Sequence, residues 1–490
     1  MTMSDVPNSS NLDTGQNSRR TRLKDSQIEH VPRDALERTA ATIGLALDPE
    51  TSIKVIGPDP ILKSPMPIGL GASTVLALIG QEVGRIWESR GARPQHISLD
   101  ARHVTTSLRS YGHLEIDGEL ASVRRAVPNM TGFWSCADGR EIFLHESFTD
   151  VPGILSELGL SPNGASNEEI ARAAARRSAF ELEDALAAKG LCAVACRSAE
   201  EWREHPQGIA LAGTSPVEVI RIGDAPPVPF PAADRPLDGI RVLDLTRVLA
   251  GPVCGRTLAE HGAEVLHIAS PNLPTFEVFE VDTGHGKRQA FLDLDRDRAI
   301  LEELTKGADV FCQSYRPLAF KRRGLGPEEL ADMKPGIVYV AVSAFGATGP
   351  WSHRPGWEQM GQTATGIAHL HGGKRPRLAP AAICDYTTGY LAALGALVAL
   401  RRRATEGGSW LVNVSLARSA MWYLELGTNL DPSVSSGEGN RAAWMIERQS
   451  DFGLVRHVAP PLRMSDAPPR WTLPPARLGS GKPKWSTVSA

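Results

Sequence analysis

At 490 residues, with 42% hydrophobic and 22% charged residues, the chain has the composition of a globular protein and the length for two or three domains. Its net charge of −3 gives no reason to expect a nucleic-acid or membrane partner, and no apolar run approaches the ~20 residues of a membrane span. The 6 cysteines are scattered, in a spacing typical of neither a disulfide framework nor a zinc knuckle. We therefore expect no metal site and a cytoplasmic location.

The N-terminal segment is polar and only weakly patterned, and no apolar stretch in it marks a secretory signal. We expect residues 1–50 to form a disordered or weakly structured tail with one helix over residues 34–45.

An apolar helix with a basic end, followed by a short strand, occurs twice in the chain, once after Pro67 and once after Asp385. This parallel predicts an internal repeat whose first copy lies in residues 51–125. In that copy Met66 or Pro67 would stand where Asp385 stands in the second, so the first copy has no carboxylate at this point.

Residues 126–224 have the pattern of a compact, small α+β domain. Asp138-Gly139 is typical of a hairpin turn, and Ser198-Ala-Glu-Glu201 is a capping box that opens a helix. The proline-rich run that follows, residues 225–236, predicts a linker and the clearest domain boundary.

From residue 237 onward, apolar strands and helices alternate, beginning with a strand over residues 240–245. The alternation predicts a parallel sheet with right-handed crossovers, a Rossmann-like domain over residues 237–424. No dinucleotide-binding fingerprint follows the first strand. The fold class is thus α/β, with the smaller α+β domain N-terminal to the large one and a partly irregular tail over residues 425–490.

Asp385 stands at the entrance to the most apolar helix of the chain. Residues 390–400 are almost all Ala, Leu, Val and Gly, so this helix has no polar face and is predicted to be buried. A carboxylate at its start can accept the free N–H groups of the first turn and remain ionised. It could act as a nucleophile toward an acyl carbon, or it could only cap the helix. The stretch itself leaves both readings open.

Several motifs then occur in a fixed order before and around Asp385. They are Pro236-Leu-Asp-Gly-Ile-Arg-Val-Leu-Asp-Leu-Thr-Arg-Val-Leu-Ala-Gly-Pro252, Gly286-Lys-Arg288, Tyr315-Arg-Pro317, Arg322-Arg-Gly-Leu-Gly326, Val342-Ser-Ala-Phe-Gly-Ala-Thr-Gly-Pro350 and Arg354-Pro-Gly356. Together they resemble the class III CoA-transferase family, which also includes an acyl-CoA racemase. Residues 452–465 resemble the tail that returns to the large domain in that family.

The resemblance implies a CoA-transferase that moves CoA between carboxylic acids through an aspartyl anhydride and an aspartyl-CoA thioester. Asp385 stands where the family's catalytic aspartate stands. The resemblance also implies CoA contacts, which we assign to Arg322, Lys287, Arg288, Arg247 and Leu249. Acyl-CoA and a carboxylic acid would be the substrates, with no permanently bound cofactor, and the family's interlocked dimers lead us to expect a homodimer.

Three departures from the family pattern leave alternatives open. His267-Ile-Ala269 replaces a Lys-x-Glu segment on the CoA side, and Trp357 stands where the racemases carry a histidine base. The small-domain segment also precedes the large domain, and the glycine-rich loop that covers the transferase site has no evident counterpart. A non-catalytic family member that binds CoA or pairs with an active subunit is therefore a second hypothesis. A racemase or isomerase is a third, which the missing histidine base at Trp357 disfavours.

Overall fold

The structure, a computed structural model, describes residues 29–121, 130–146, 150–372 and 375–486. Residues 1–28 of the predicted tail therefore lie outside the described residues. The rest of that segment holds a helix over Arg33–Thr42, as the sequence predicts, and this helix packs through buried Leu36 and Ala40.

The strands of the described residues are, in chain order, β1 (Ser52–Ile56), β2 (His96–Asp100), β3 (Glu115–Ile116), β4 (Glu119–Leu120), β5 (Gly132–Ser135), β6 (Glu141–Leu144), β7 (Ala193–Ala195), β8 (Glu218–Gly223), β9 (Arg241–Leu245), β10 (Glu264–Ala269), β11 (Lys287–Phe291), β12 (Val310–Gln313), β13 (Val338–Ser343), β14 (Ser409–Ser415), β15 (Met445–Ser450), β16 (Gly453–Val458) and β17 (Arg463–Met464).

The α-helices of the same residues are α1 (Arg33–Thr42), α2 (Ile68–Ser89), α3 (Ala101–Ser107), α4 (Val151–Glu157), α5 (Asn167–Ala174), α6 (Ala179–Ala188), α7 (Ala199–Glu204), α8 (Pro206–Ala212), α9 (Ala250–Glu260), α10 (Glu277–Thr283), α11 (Arg298–Lys306), α12 (Pro317–Lys321), α13 (Pro327–Met333), α14 (Glu358–Thr365), α15 (Ile367–Gly372), α16 (Ile383–Glu406) and α17 (Leu416–Glu425).

The large sheet has seven strands in the order β11-β10-β9-β12-β13-β14-β8 and is parallel except for β8. Alternate residues of each strand face opposite sides. Val242, Val265 and Val310 join the core that contains α9 and α16, whereas Leu243, Leu266 and Phe311 join the core that contains α11 and α13. The predicted Rossmann-like α/β class is confirmed, and its apolar strands are continuous because both faces of the sheet are covered.

Strand β8 and the proline-rich run after it differ from the prediction. β8 lies inside the segment 126–224 that we assign to the small domain, yet it pairs antiparallel with β14 of the large sheet. The run 225–236 therefore connects two strands of one sheet. Two contacts tie it to the large domain: the N–H of Val228 donates to the carbonyl of Arg403 at 3.2 Å, and Phe230 is buried in the main core. Composition predicted a boundary because prolines exclude regular hydrogen bonding, not because the chain separates there.

The N-terminal segment builds a smaller sheet with the same local topology as the end of the large one. β1 and β2 are parallel and flank α2, and β17 from the tail pairs antiparallel with β2. Likewise β13 and β14 are parallel and flank α16, and β8 is antiparallel to β14. Helices α2 and α16 pack against each other in the core.

Helix α16 is long and apolar enough, by length and composition alone, to cross a membrane. The apolar window that passes this test is completely buried inside the protein. The helix is therefore a core helix, as its uniform Ala, Leu and Val content predicts.

Candidate active site

Asp385 is the third residue of α16 and lines an open cleft. Its residue surface is only 9% exposed. One wall of the cleft comes from Val248 and Leu249, which follow β9, and from Trp357, which precedes α14. Because these loops leave the carboxyl ends of parallel strands, the cleft occupies the usual ligand position of an α/β sheet.

The N-terminal part of the chain supplies the other wall. Arg109, His113 and His145 line the cleft, and His145 stacks on Trp357 with ring centroids 5.6 Å apart. Arg109 also donates to the carbonyl of Pro380 at 3.2 Å, which ties this wall to the segment entering α16. Residues from both halves of the chain thus surround Asp385 in a single molecule.

The cap of α16 is Glu358, the first residue of α14. Its carboxylate accepts the N–H of Cys384 at 3.2 Å and the N–H of Asp385 at 2.5 Å, and the side-chain amide of Gln362 also donates to it. These are the backbone donors that we had expected the Asp385 side chain to accept. The reading of Asp385 as a mere cap therefore does not fit the observed geometry, because another carboxylate already performs that function.

The electrostatics of the two carboxylates also correct the expectation that Asp385 remains readily ionised. Burial and the nearby charge of Glu358 raise the pKa of Asp385 well above its usual value, and only a hydrogen bond from the backbone of Ala250 opposes this. Burial raises the pKa of Glu358 to about 7, against the hydrogen bonds from Gln362, Asp385 and Cys384. Glu358 has more donors, so it carries the charge more easily than Asp385 does.

The starts of α9 and α16 approach each other closely at this site. A side chain at Gly389 would bring its Cβ within 2.5 Å of the Ala250 carbonyl, so only glycine allows the contact. Val248, in the loop before α9, has a φ of 69°, a conformation that a β-branched residue adopts only under strain. Such strain is found preferentially at functional sites.

A groove, here called the Arg247 groove, adjoins the cleft and is lined by Arg247, His267, Leu273 and Pro274. The two share Val248 as a lining residue. Arg247 donates to the carbonyl of Pro274 at 2.6 Å. Of the residues predicted to contact CoA, Leu249 thus lines the cleft with Asp385, and Arg247 and Lys287 line the adjoining groove.

The changed residue His267 is part of this groove. Its Nε2 lies 2.9 Å from the Thr246 carbonyl and its Nδ1 lies 2.5 Å from the side-chain oxygen of Gln289. The imidazole therefore contacts the start of the loop after β9 and helps to fix the loop, which contains Arg247 and Leu249.

Lys287 and Arg288 take part in the internal structure of the sheet. Lys287 is buried and donates to Asp244 Oδ2 at 2.8 Å and to the Pro252 carbonyl at 2.7 Å. Arg288, its neighbour on β11, donates to Glu264 Oε1 at 3.0 Å. Both cations are thus held by acceptors within the protein, and Lys287 also lines the Arg247 groove. Their contacts with CoA stay predictions.

Arg322 lies in the turn after α12 and is exposed. Among the described residues that line the Asp385 cleft and the Arg247 groove, Arg322 does not occur. Its contact with CoA stays a prediction.

Sequence reasoning missed Glu358, Arg109, His113 and His145 as residues of the site. Glu358 directly follows Trp357, and no sequence pattern marks it as the cap of a later helix. The other three stand far from Asp385 in the sequence, and no local pattern indicates that the fold brings them together.

Comparison with known proteins identifies the family of this chain. The sequence model of CoA-transferase family III matches residues 237–443. The acetyl-coenzyme A transferase nodX of Hypoxylon pulicicidum is 32% identical over 423 residues, which span 75% of this chain and 69% of that protein. The chain belongs to CoA-transferase family III.

Other family III relatives match over a shorter region. The succinyl-CoA–D-citramalate CoA-transferase of Chloroflexus aurantiacus is 32% identical over 39% of this chain and 52% of its own length. The succinyl-CoA:glutarate CoA-transferase of Mus musculus is 32% identical over 38% of this chain and 46% of its own length. The chain thus spans about half the length of these two relatives. Transfer of CoA is the activity that all three names share.

A solved family III structure also matches, the CAIB/BAIF family protein from Brucella suis. It is 28% identical, covers 39% of this chain and 55% of that protein, and superimposes with a TM-score of 0.37. The assignment of fold and family rests on the sheet and on the sequence matches.

Proposed function

We propose that the protein is a CoA-transferase in which Asp385 is the nucleophile. The strongest support is that Glu358 and Asp385 have different functions at the start of α16. Glu358 caps α16, so Asp385 has no capping function and faces an open cleft. A buried carboxylate with one backbone donor is available for covalent chemistry.

The proposed reaction begins with attack of a carboxylate oxygen of Asp385 on the carbonyl carbon of an acyl-CoA thioester. The C–S bond breaks, CoA leaves as its thiolate, and a mixed anhydride forms. The thiolate then attacks the aspartyl carbonyl carbon, which releases the donor acid as a carboxylate and leaves an aspartyl-CoA thioester. The acceptor carboxylate repeats the two exchanges in reverse, so that acyl-CoA departs and Asp385 is restored.

The environment of Asp385 favours the first of these steps. As an anion, Asp385 is destabilised by burial and by Glu358. Conversion of the carboxylate into an anhydride or a thioester removes that negative charge, so the covalent states are relieved of the repulsion that the free enzyme carries. The starts of α9 and α16 supply the positive ends of two helix dipoles near the developing oxyanions.

For the CoA substrate we propose the Arg247 groove, with Leu249 at its junction with the cleft. A guanidinium suits phosphate geometry, and the groove opens along the carboxyl ends of β9 and β10. Arg247→Ala should raise the KM for acyl-CoA by about 10-fold, the equivalent of about 1.4 kcal/mol, with a smaller change in kcat. Arg322→Ala is the matched comparison. A rise in KM with Arg322→Ala and none with Arg247→Ala would contradict this proposal and place the CoA site at the turn after α12.

Two observations favour a non-catalytic family member as the second candidate. Lys287 and Arg288 are held by internal carboxylates, and the CoA-side segment of the family is replaced at His267. A panel of acyl-CoAs paired with carboxylic acids, assayed by separation of the CoA products, decides between the candidates. We expect transfer with at least one pair and none with Asp385→Asn. If the wild type binds CoA but transfers with no pair, the non-catalytic candidate replaces the enzyme.

Assembly and location also remain proposals. We propose a cytoplasmic homodimer. Because Arg109, His113 and His145 complete the cleft from within one chain, we expect each subunit of such a dimer to hold its own site. A light-scattering mass of one chain at micromolar concentration would contradict the dimer and leave the site proposal intact.

A further inference from the structure

A second cavity lies in the C-terminal part of the protein, separate from the Asp385 cleft. It is lined by five aromatic or imidazole rings, those of His103, His285, Trp444, His457 and Trp471. We call it the His285 cavity. Of the described residues that line the Asp385 cleft, none lines this cavity as well.

The rings are arranged in stacks. His103 and Trp444 are nearly parallel, at 4°, with centroids 5.1 Å apart. His285 stacks on His457 at 3.7 Å and on Trp471 at 5.1 Å. Trp444 is half-buried and lines the cavity, so a flat ring that enters it can extend these stacks.

His285 is the residue that packing alone does not explain. It is 1% exposed, and neither of its ring nitrogens has a hydrogen-bond partner among the described residues. Buried polar groups are nearly always paired. Burial and the neighbouring His457 lower the pKa of His285 well below its usual value, so the ring is neutral and presents one donor and one acceptor.

The charges at the cavity have one sign. Arg448, Arg463 and Arg470 line it, and none of its described lining residues is a carboxylate. Arg463 and Arg470 are exposed. Guanidinium groups bind phosphate oxygens in a two-point geometry, so the opening favours an anionic group beside the stacked rings.

We propose that the His285 cavity binds the adenosine-phosphate head group of a nucleotide. The base stacks against the tryptophan and imidazole rings, the neutral His285 pairs with the donor and acceptor edge of the base, and the phosphates contact Arg463 and Arg470. A free nucleotide such as ADP and the nucleotide end of CoA share this chemistry. The site is additional to the acyl-transfer site and does not depend on the proposed reaction.

The test uses the full chain carrying Asp385→Asn, so that no turnover interferes. A photoreactive azido-adenine analogue of ADP is cross-linked, and the labelled peptides are mapped by mass spectrometry. We expect label in residues 444–471. Protection by ADP alone identifies a free-nucleotide site, whereas protection by CoA as well identifies the CoA head group. Label only at the Arg247 groove, or no label, would overturn the proposal.

Charge reversal provides a binding test in the same background. Arg463→Glu changes an exposed side chain at the cavity, and Arg203→Glu changes one that is 65% exposed on α7. Titration with ADP should show at least a 10-fold weaker Kd for Arg463→Glu and an unchanged Kd for Arg203→Glu. His285→Phe, which keeps the stack and removes both nitrogens, should also weaken binding. Equal Kd values for Arg463→Glu and Arg203→Glu would overturn the proposal even if His285→Phe failed to fold.

Discussion

Helices α2 and α16 begin with the same capping arrangement but carry different third residues, Leu70 and Asp385. Each is a buried apolar helix whose first turn is capped by a carboxylate from an earlier segment. Glu358 accepts the N–H groups of Cys384 and Asp385 in α16. Asp59 accepts those of Gly69 and Leu70 in α2, at 3.1 and 2.7 Å. Leu70, the third residue of α2, therefore occupies the position of Asp385, and the sequence alignment that placed Met66 or Pro67 there is corrected.

The two helix starts show that the fold does not require a carboxylate at the third position. An apolar side chain serves at the third position of α2, where Leu70 packs against the main core. A carboxylate at this position is thus not required to start such a helix, and in α16 its charge is unfavourable. The fold does not need a carboxylate here, and the burial of its charge is unfavourable, so its presence is best explained by function.

The largest effect that we expect is on turnover when α16 is made to resemble α2. Asp385→Leu reproduces the first helix start, and Asp385→Asn keeps the size and polarity of the side chain. Both variants should remain folded by circular dichroism and lose CoA transfer by about 10⁴-fold or more, because no other group at this position can form the anhydride. If either variant retained CoA transfer, Asp385 would not be the nucleophile, and its role would be structural, like that of Leu70 in α2.

Removal of either capping carboxylate should lower stability by a similar amount, but only one of the two removals should lower turnover. Asp59→Ala and Glu358→Ala each leave two backbone N–H groups of a helix start without an acceptor, which costs about 2 kcal/mol of the free energy of unfolding. Urea denaturation measures this loss. Only Glu358→Ala should lower turnover as well, because it releases the backbone of Asp385 and changes the charge beside it. A similar loss of turnover in Asp59→Ala would contradict this expectation, because it would show that the start of α2 also contributes to the reaction.

The smallest effect concerns pH. The pKa values of Asp385 and Glu358 are raised in the folded protein, so the stabilising contribution of each is complete at low pH and declines as pH rises. For Glu358 the decline runs through a pKa of about 7, and for Asp385 it starts above the ordinary pKa of an aspartate. Asp385→Asn removes one of the two charges. It should therefore be more stable than the wild type at pH 8, by on the order of 1 kcal/mol, and similar to it at pH 4. An equal difference at both pH values would show that the pKa of Asp385 is not raised in the folded protein.

The sequence predicted those features that depend on local pattern. Alternating apolar segments predicted the parallel sheet, because strands covered on both faces carry continuous apolar runs. The uniform apolar helix after Asp385 predicted burial, and the ordered motifs predicted the family. The capping box at Ser198 is also present, with the hydroxyl accepting the N–H of Glu201.

The sequence could not predict contacts between residues that are distant from each other in the chain. Lys287 matches a family motif, but its partner Asp244 lies on another strand. The cap of α16 comes from Glu358, on a different helix, so the local pattern made Asp385 the obvious cap. Arg109 and His145 enter the cleft from a segment that the sequence alone could not orient.

The proposed mechanism requires a covalent bond to Asp385. The full chain is incubated with an acyl-CoA that it turns over, hydroxylamine is added, and the peptide that contains residue 385 is analysed by mass spectrometry. We predict an aspartyl hydroxamate at Asp385 that depends on acyl-CoA and is absent in Asp385→Asn. Transfer of CoA without any adduct at Asp385, or with an adduct on another residue, would contradict the account.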